Sequence, residues 1–200
     1  MNTIAKQQIR PETWGFVAVL LIANFMLLLG RICEPLIFFP SQWISGDWWR
    51  ALTFPFVHVS WYHLLMDAGA FLFLYHSLQE PSMRRRLLTV AACAAGSLGV
   101  SLLVSPLDNG LCGLSGVAHG LMAVSALEIM KSSDKTLRNA GIICFLAVAL
   151  KSIYEACAGT IAFDFLHFGP VGKAVAVCHA GGVLGGVFAY GFCRRKKESL

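Results

Sequence analysis

The chain contains 200 residues, of which 56% are apolar and 14% are charged, and its mean hydropathy is +0.66. A soluble domain of this size needs a more polar surface, and several apolar runs are about as long as a bilayer-spanning helix. The formal net charge of +5 does not indicate a nucleic-acid partner. If the chain crosses the membrane once with each apolar run, most of the basic residues lie on the same side of the membrane. The composition therefore excludes an ordinary soluble protein and predicts a polytopic helical membrane protein.

Six apolar runs predict an all-α bundle of six transmembrane helices that forms one membrane domain over residues 1–200. In chain order the runs are Trp14–Gly30, Trp61–Leu78, Leu87–Pro106, Gly113–Met130, Ala140–Ala158 and Val171–Cys193. Unbroken apolar runs disfavour a membrane barrel, and in lipid a helix satisfies its own backbone polar groups. We expect a short cytoplasmic segment over 1–13, a basic tail over 194–200, and retention of the first run, which no small-residue cleavage pattern follows.

The positions of the basic residues predict the orientation of this bundle. One side of the threading receives twelve of the sixteen basic residues: Lys6, Arg10, Arg84, Arg85, Arg86, Lys131, Lys135, Arg138, Arg194, Arg195, Lys196 and Lys197. The opposite side receives Arg31, Arg50 and Lys173, together with Glu34, Asp47, Asp108 and Asp164. Because basic residues favour the cytoplasmic side, both termini are predicted to be cytoplasmic.

The outer side carries a long connection after the first run, with tryptophans at Trp43, Trp48 and Trp49. Tryptophan favours the membrane interface, so this loop is expected to lie along the outer membrane face. The seven cysteines are scattered without zinc-finger spacing, and no cofactor or metal is expected from them. Cys33 and Cys112 both map to the outer side, and the sequence leaves open whether they pair.

The sixth run contains two pairs of glycines at a spacing of four residues. Gly181 pairs with Gly185, and Gly182 pairs with Gly186. Such pairs let two helix backbones approach closely in lipid. Generic helix packing explains such pairs, and the segment is of interest because His179 lies just before the glycines, inside the apolar run.

Ionisable groups in apolar runs are expensive and are functional candidates by default, but several have structural explanations. Lys151 and Glu155 are four residues apart and can neutralise each other on one helix face. Glu128 and His76 lie near cytoplasmic helix ends, and His167 lies in an outer loop. The remaining candidates for a functional site are Ser115, His58, His63, Asp67, His119 and His179.

Ser115 is the candidate nucleophile. It lies at the predicted outer start of a helix, where free N–H groups and the helix dipole favour an anion. Gly113 and Gly116 leave the serine unshielded and permit a tight turn into the helix. A serine nucleophile needs a base and oxyanion donors, and a histidine on another helix can supply that base.

Three segments together resemble rhomboid intramembrane serine proteases. They are "WWRALTFPFVHVSWYHLLMD" over Trp48–Asp67, "GLSG" over Gly113–Gly116 and "HAGGVLGG" over His179–Gly186. They occur in the family's order, on the second, fourth and sixth predicted helices, and the Trp49-Arg50 pair also looks like the family's. The resemblance covers about Trp48–Tyr190, and "CGLSGVAHG" looks most like the rhombosortase branch.

The resemblance implies a role for each matched residue. Ser115 would be the nucleophile and His179 the general base of a Ser–His dyad that has no third acid. His63 would be an oxyanion-hole side chain alongside the Ser115 amide, and His58 would support the loop above it.

Two residues depart from the family pattern. Asp67 falls where rhomboids commonly have an asparagine that donates a hydrogen bond to the oxyanion. It therefore either stays protonated and donates a hydrogen bond in the same way or has another task, such as orienting a histidine. His119 falls where many rhomboids have an aromatic residue packed against the base. At i+4 from Ser115 it also competes for the role of base, although we favour His179.

The resemblance implies a serine endopeptidase that cleaves a transmembrane segment near the outer membrane face and needs no cofactor. For the rhombosortase branch, the resemblance implies that the partners are secreted proteins with a C-terminal Gly-Gly motif, a membrane helix and a basic tail. Cleavage in a Gram-negative inner membrane would remove this C-terminal anchor. One alternative is a catalytically silent relative that binds membrane helices. Another is a transporter or metal-handling protein that uses His58, His63, Asp67 and His179.

Overall fold

A computed structural model describes residues 10–104, 110–162, 168–172 and 175–198. The described residues form helices joined by turns and loops, without a β-sheet. The helices are α1 (Pro11–Ala23), α2 (Pro40–Ile44), α3 (Arg50–Thr53), α4 (Trp61–Ser77), α5 (Met83–Val104), α6 (Ser115–Ile129), α7 (Lys135–Ala158) and α8 (Val177–Glu198). Short 3-10 turns cover Phe25–Leu29, Glu34–Leu36 and Phe54–Phe56. The predicted all-α class is therefore confirmed. The predicted loop residues Lys6, Asp108, Asp164, His167 and Lys173 lie outside the described residues.

Three stretches of the described chain are long and apolar enough to cross a bilayer: Pro11–Leu29, α5 and α7. The apolar parts of α6 and α8 are shorter. Large apolar side chains nevertheless cover the outward faces of the helices, with Leu65 70% exposed, Phe73 74% exposed and Phe188 72% exposed. A surface of this kind matches lipid rather than water, and the chain is a multi-pass membrane protein.

Several predicted boundaries shift. Residues 171 and 172 precede α8 instead of joining it, because Pro170 and Gly172 (φ +75°) disrupt a helical backbone. Helix α8 instead begins at Val177 and continues to Glu198, so most of the expected tail over 194–200 extends this helix. Similarly, α1 begins at Pro11, three residues before the first predicted run and inside the segment over 1–13 that was expected to be cytoplasmic.

Helix α8 packs between α5 and α6 with almost no side chains between the backbones. A Cβ atom on Gly181 would lie 2.3 Å from the carbonyl oxygen of Gly96 on α5. A Cβ atom on Gly182 would lie 1.8 Å from the carbonyl oxygen of Gly116 on α6. The predicted close approach is confirmed. Gly181 and Gly185 pack against α5, whereas Gly182 and Gly186 pack against α6.

The connection between α1 and α4 is fixed by polar contacts to its own backbone. Arg50 donates to the carbonyls of Glu34 and Ile37, both at 2.8 Å, and pairs with Asp47 at 2.8 Å. An isolated antiparallel bridge then joins Phe38 to Leu111, four residues before Ser115. The loop therefore helps to position the backbone that leads into α6.

At the junction of α1 with its 3-10 turn, the buried side chain of Asn24 connects three pieces of chain. Its amide nitrogen donates to the carbonyls of Leu20 at 2.8 Å and Phe56 at 2.7 Å. Its oxygen accepts from the backbone N–H of His58 at 2.8 Å. In this way α1 supports the segment that carries the candidate histidines before α4.

Candidate active site

Ser115 is the first residue of α6 and is half-buried at a cavity of about 270 Å³. Leu114, the N-cap residue, makes no side-chain capping bond, whereas Ser60 and Asp134 cap α4 and α7. The first N–H groups of a helix have no partner within the helix, so those of α6 are available to an anion. Other cavity-lining residues include His63, Asp67, His119, Lys151, Cys178 and His179.

The turn before Ser115 requires glycine. Gly113 has φ +98°, a conformation that other residues rarely adopt. A Cβ atom there would lie 2.7 Å from Nε2 of His63 and 2.8 Å from Oδ2 of Asp67. Gly113 therefore lets these two side chains of α4 approach the backbone next to the serine.

His179 lies in the first turn of α8 and lines the same cavity as Ser115. Its Nδ1 lies 2.7 Å from Oε2 of Glu155. A carboxylate accepts hydrogen bonds, so Nδ1 carries the proton and Nε2 is the basic nitrogen. This tautomer is the one that a general base needs.

The serine hydroxyl and His179 are not hydrogen-bonded in the part of the chain that the structure describes. Ser115 Oγ instead lies 3.7 Å from Sγ of Cys178, the buried neighbour of His179. Long or absent hydrogen bonds between nucleophile and base are common in active sites without substrate. Sequence analysis missed Cys178, which resembles an ordinary small packing residue, and its position next to His179 was the only signal. All seven cysteines, including Cys33 and Cys112, are free thiols.

His119 has both ring nitrogens engaged. Nδ1 lies 2.7 Å from the carbonyl oxygen of Ser115, to which it donates, and Nε2 accepts from Lys151 Nζ at 2.9 Å. Its ring stacks on that of His179, with centroids 3.9 Å apart and planes 12° apart. The nitrogen that a base would use is therefore occupied by Lys151, which disfavours His119 as the alternative base.

Glu155 contacts His179 as well as Lys151, and its spacing from Lys151 in the sequence does not reveal the second contact. The two side chains pair at 2.6 Å, as the sequence predicts. However, Glu155 is fully buried and also contacts His179. Interpreting this carboxylate only as a neutralising partner was incomplete, because the packing of α7 against α8 was not visible in the sequence.

His58, His63 and Asp67 form a second cluster beside Gly113. Asp67 Oδ2 lies 3.2 Å from Nε2 of His63 and 3.6 Å from Nε2 of His58. The backbone N–H of Val59 points to Nδ1 of His63 at 3.5 Å, so the ring proton lies on Nε2. The contact of Nε2 with Asp67 Oδ2 is not a hydrogen bond among the described residues.

This geometry bears on the metal-binding alternative. A metal at the cluster would need an unprotonated Nε2 on His63, which the Val59 contact disfavours. His179, the fourth ligand considered, instead groups with His119 and Glu155. The structure thus keeps His58, His63 and Asp67 together, with possible ligand atoms within 4.8 Å of one another, and separates only His179 from them.

Comparison with known proteins gives the family. The sequence profile described as "Rhomboid domain" matches residues 45–197, which cover α3 to nearly the end of α8. No curated protein matches the chain significantly. Because the profile spans well over half of the 200 residues, the chain belongs to the rhomboid family, whose members are generally intramembrane serine proteases.

Proposed function

We propose that this protein is a serine endopeptidase that cleaves transmembrane segments near the outer face of its membrane, with Ser115 as nucleophile and His179 as general base. The observation that carries the proposal is the juxtaposition of two groups at one cavity. Ser115 lies at an uncapped helix start, and His179 has its Nδ1 engaged by Glu155. That pairing directs the proton from the serine to Nε2.

In this mechanism His179 Nε2 takes the Ser115 proton as Oγ attacks the scissile carbonyl carbon. Free N–H groups in the first turn of α6 stabilise the oxyanion. His179 then gives its proton to the leaving amine, which separates and leaves an acyl-enzyme. Water attacks the acyl carbon with His179 again as base, and the serine is regenerated.

Asp67 has a different role in this proposal from that of the family's asparagine. Its Oδ2 lies within 3.6 Å of Nε2 of both His58 and His63 but forms no hydrogen bond among the described residues, so it acts on these imidazoles by its charge rather than by donating to an oxyanion. The Nε2 proton of His63 therefore remains available to the oxyanion alongside the α6 amides. Asp67 thus orients the two histidines beside Gly113.

For the substrate, we propose the rhombosortase-like class: secreted proteins with a Gly-Gly motif, a C-terminal membrane helix and a basic tail. The "CGLSGVAHG" stretch supports this choice. Glycines favour the local unwinding that exposes a peptide bond in a helix. We further propose six membrane spans in a bacterial inner membrane with both termini cytoplasmic, which the positions of the basic residues support.

The second candidate is a catalytically silent protein that binds membrane helices. The contact of Ser115 Oγ with Cys178 Sγ at 3.7 Å, in place of a bond to His179, favours it. It shares the fold and the cavity with the protease but predicts no covalent chemistry at Ser115.

The test compares wild type with Ser115→Ala, His179→Ala and His119→Ala in detergent. One assay is labelling by a fluorophosphonate probe, and the other is cleavage of a single-span reporter that carries a Gly-Gly motif and a basic tail. We expect labelling and cleavage to vanish in the Ser115 and His179 variants and to persist in His119→Ala. Folded wild type that neither labels nor cleaves would support the silent helix-binder, once access of the probe is verified with a smaller phosphonate.

A further inference from the structure

We infer that Glu155 is a positioning residue that extends Ser115 and His179 into a serine–histidine–glutamate triad. The inference rests on the proposed function and adds a residue to the expected dyad. Glu155 lies on α7, so three helices would contribute to the site: α6, α7 and α8.

The hydrogen bonds of Glu155 identify it as a carboxylate rather than a carboxylic acid. Oε2 faces Nδ1 of His179 at 2.7 Å. Oε1 accepts from Lys151 Nζ at 2.6 Å and from the backbone N–H of Ala162 at 2.9 Å. A protonated carboxyl would have to donate in place of one of these contacts, whereas a carboxylate accepts all three.

The same contacts fix where the carboxylate points. The Ala162 amide comes from the turn that follows α7, and Lys151 lies one helical turn before Glu155. Together they hold Oε1, so Oε2 is the oxygen left for His179. A fully buried side chain with both oxygens engaged has little rotational freedom.

Mutual neutralisation of Lys151 and Glu155 does not account for this arrangement. An ion pair alone needs no third partner, yet Lys151 also donates to His119 and Glu155 also accepts from His179. The stacked rings of His119 and His179 are thus each held by one member of the pair. This network orients the imidazole that shares the cavity with Ser115.

The chemical consequence is a base in the correct tautomer. With Nδ1–H bound to Glu155, Nε2 of His179 stays free to take the Ser115 proton. The carboxylate then stabilises the imidazolium that forms, without itself taking the proton. An acid in this position therefore lowers the barrier to both proton transfers.

The test replaces the carboxylate with an amide of the same shape. In Glu155→Gln, the amide can present its NH₂ group to Nδ1 and so favour the wrong tautomer. We expect kcat for the reporter to fall by about 10²–10⁴-fold with KM nearly unchanged. Glu155→Asp, which keeps the charge, is expected to recover part of the loss. The matched control is Glu128→Gln on α6, whose carboxylate accepts from the amides of Gln79 and Glu80 away from the cavity.

A spectroscopic measurement on the wild type supplies a second readout. Nδ1–H donation to a buried carboxylate gives a strongly low-field imidazole proton in NMR spectra of protein with isotope-labelled histidine. We expect this signal in the wild type and Ser115→Ala, and its loss in His179→Ala and Glu155→Gln. Absence of the signal in the wild type overturns the inference even if Glu155→Gln does not fold.

The outcomes separate the inference from the proposed function. An active wild type whose Glu155→Gln variant keeps kcat within about 3-fold leaves the protease intact and removes Glu155 from the triad. Cleavage that survives Ser115→Ala rejects the protease proposal itself. A fall in kcat with unchanged KM in Glu155→Gln, partial recovery in Glu155→Asp and normal kinetics in Glu128→Gln establish the triad.

Discussion

Replacing Gly182 with alanine tests whether helix packing sets the geometry of the site. The added Cβ would lie 1.8 Å from the carbonyl oxygen of Gly116, about 1.6 Å short of the 3.4 Å at which ordinary contact begins. Both atoms that meet are attached to helix backbones, so α8 and α6 must separate by a comparable distance. Overpacking of this kind costs about 1–3 kcal/mol, and the gain in helix propensity of up to about 1 kcal/mol offsets only part of it.

The displacement acts directly on the proposed catalytic pair. Gly182 is three residues after His179, and Gly116 follows Ser115. Because a misplacement of about 1 Å can cost about 10²-fold in rate, we expect kcat/KM of Gly182→Ala to fall by at least about 10²-fold.

The assay combines reporter cleavage with thermal unfolding in detergent. Gly191→Ala on the same helix is the matched control, since a Cβ there meets nothing within 4 Å. We expect this control to keep full activity and to be slightly more stable, by up to about 1 kcal/mol. Wild-type kinetics in Gly182→Ala would refute the argument that direct backbone contact positions His179 against Ser115.

Three further substitutions probe other parts of the site. Gly113→Ala is expected to abolish cleavage, because it adds about 1–3 kcal/mol of backbone strain and places a methyl group against His63 and Asp67; normal activity in folded protein would contradict this. His119→Phe keeps a ring to stack on His179 and is expected to retain kcat within about 10-fold, so complete loss in the cleavage assay would reopen its role as base. Asp67→Ala leaves the fully buried imidazole of His58 without its carboxylate neighbour, and we expect a stability loss of about 1–3 kcal/mol by thermal unfolding; an unchanged melting temperature would show that the cluster is not structural.

The sequence predicts much of the fold because lipid simplifies the pattern. Apolar runs require helices, and glycines at a spacing of four identify α8 as a closely packed helix. The start of α8 is mispredicted because Val171, Val175 and Ala176 continue the run in composition, while Gly172 has a positive φ that a helix does not allow. Hydropathy measures the apolar composition of a segment but not whether its backbone can be helical.

For the site, the sequence identifies the residues but not how they are connected. Ser115 and His179 stand out through their glycine neighbours, and the i+4 spacing of His119 from Ser115 is visible. The contact of Glu155 with His179 depends on the register of α7 against α8, across 24 residues and an intervening loop. The available signal was an acidic residue inside an apolar run, and Lys151 at i−4 offered a simpler explanation of it.

The junction at Asn24 has a consequence for how short this protein can be made. The rhomboid profile begins at residue 45, yet Asn24 satisfies the carbonyl of Phe56 and the N–H of His58. A fragment trimmed to the profile boundaries would leave both groups unpaired in apolar surroundings. The smallest unit able to fold and act therefore includes α1, and expression trials that begin at the profile boundary should yield aggregated or unstable protein.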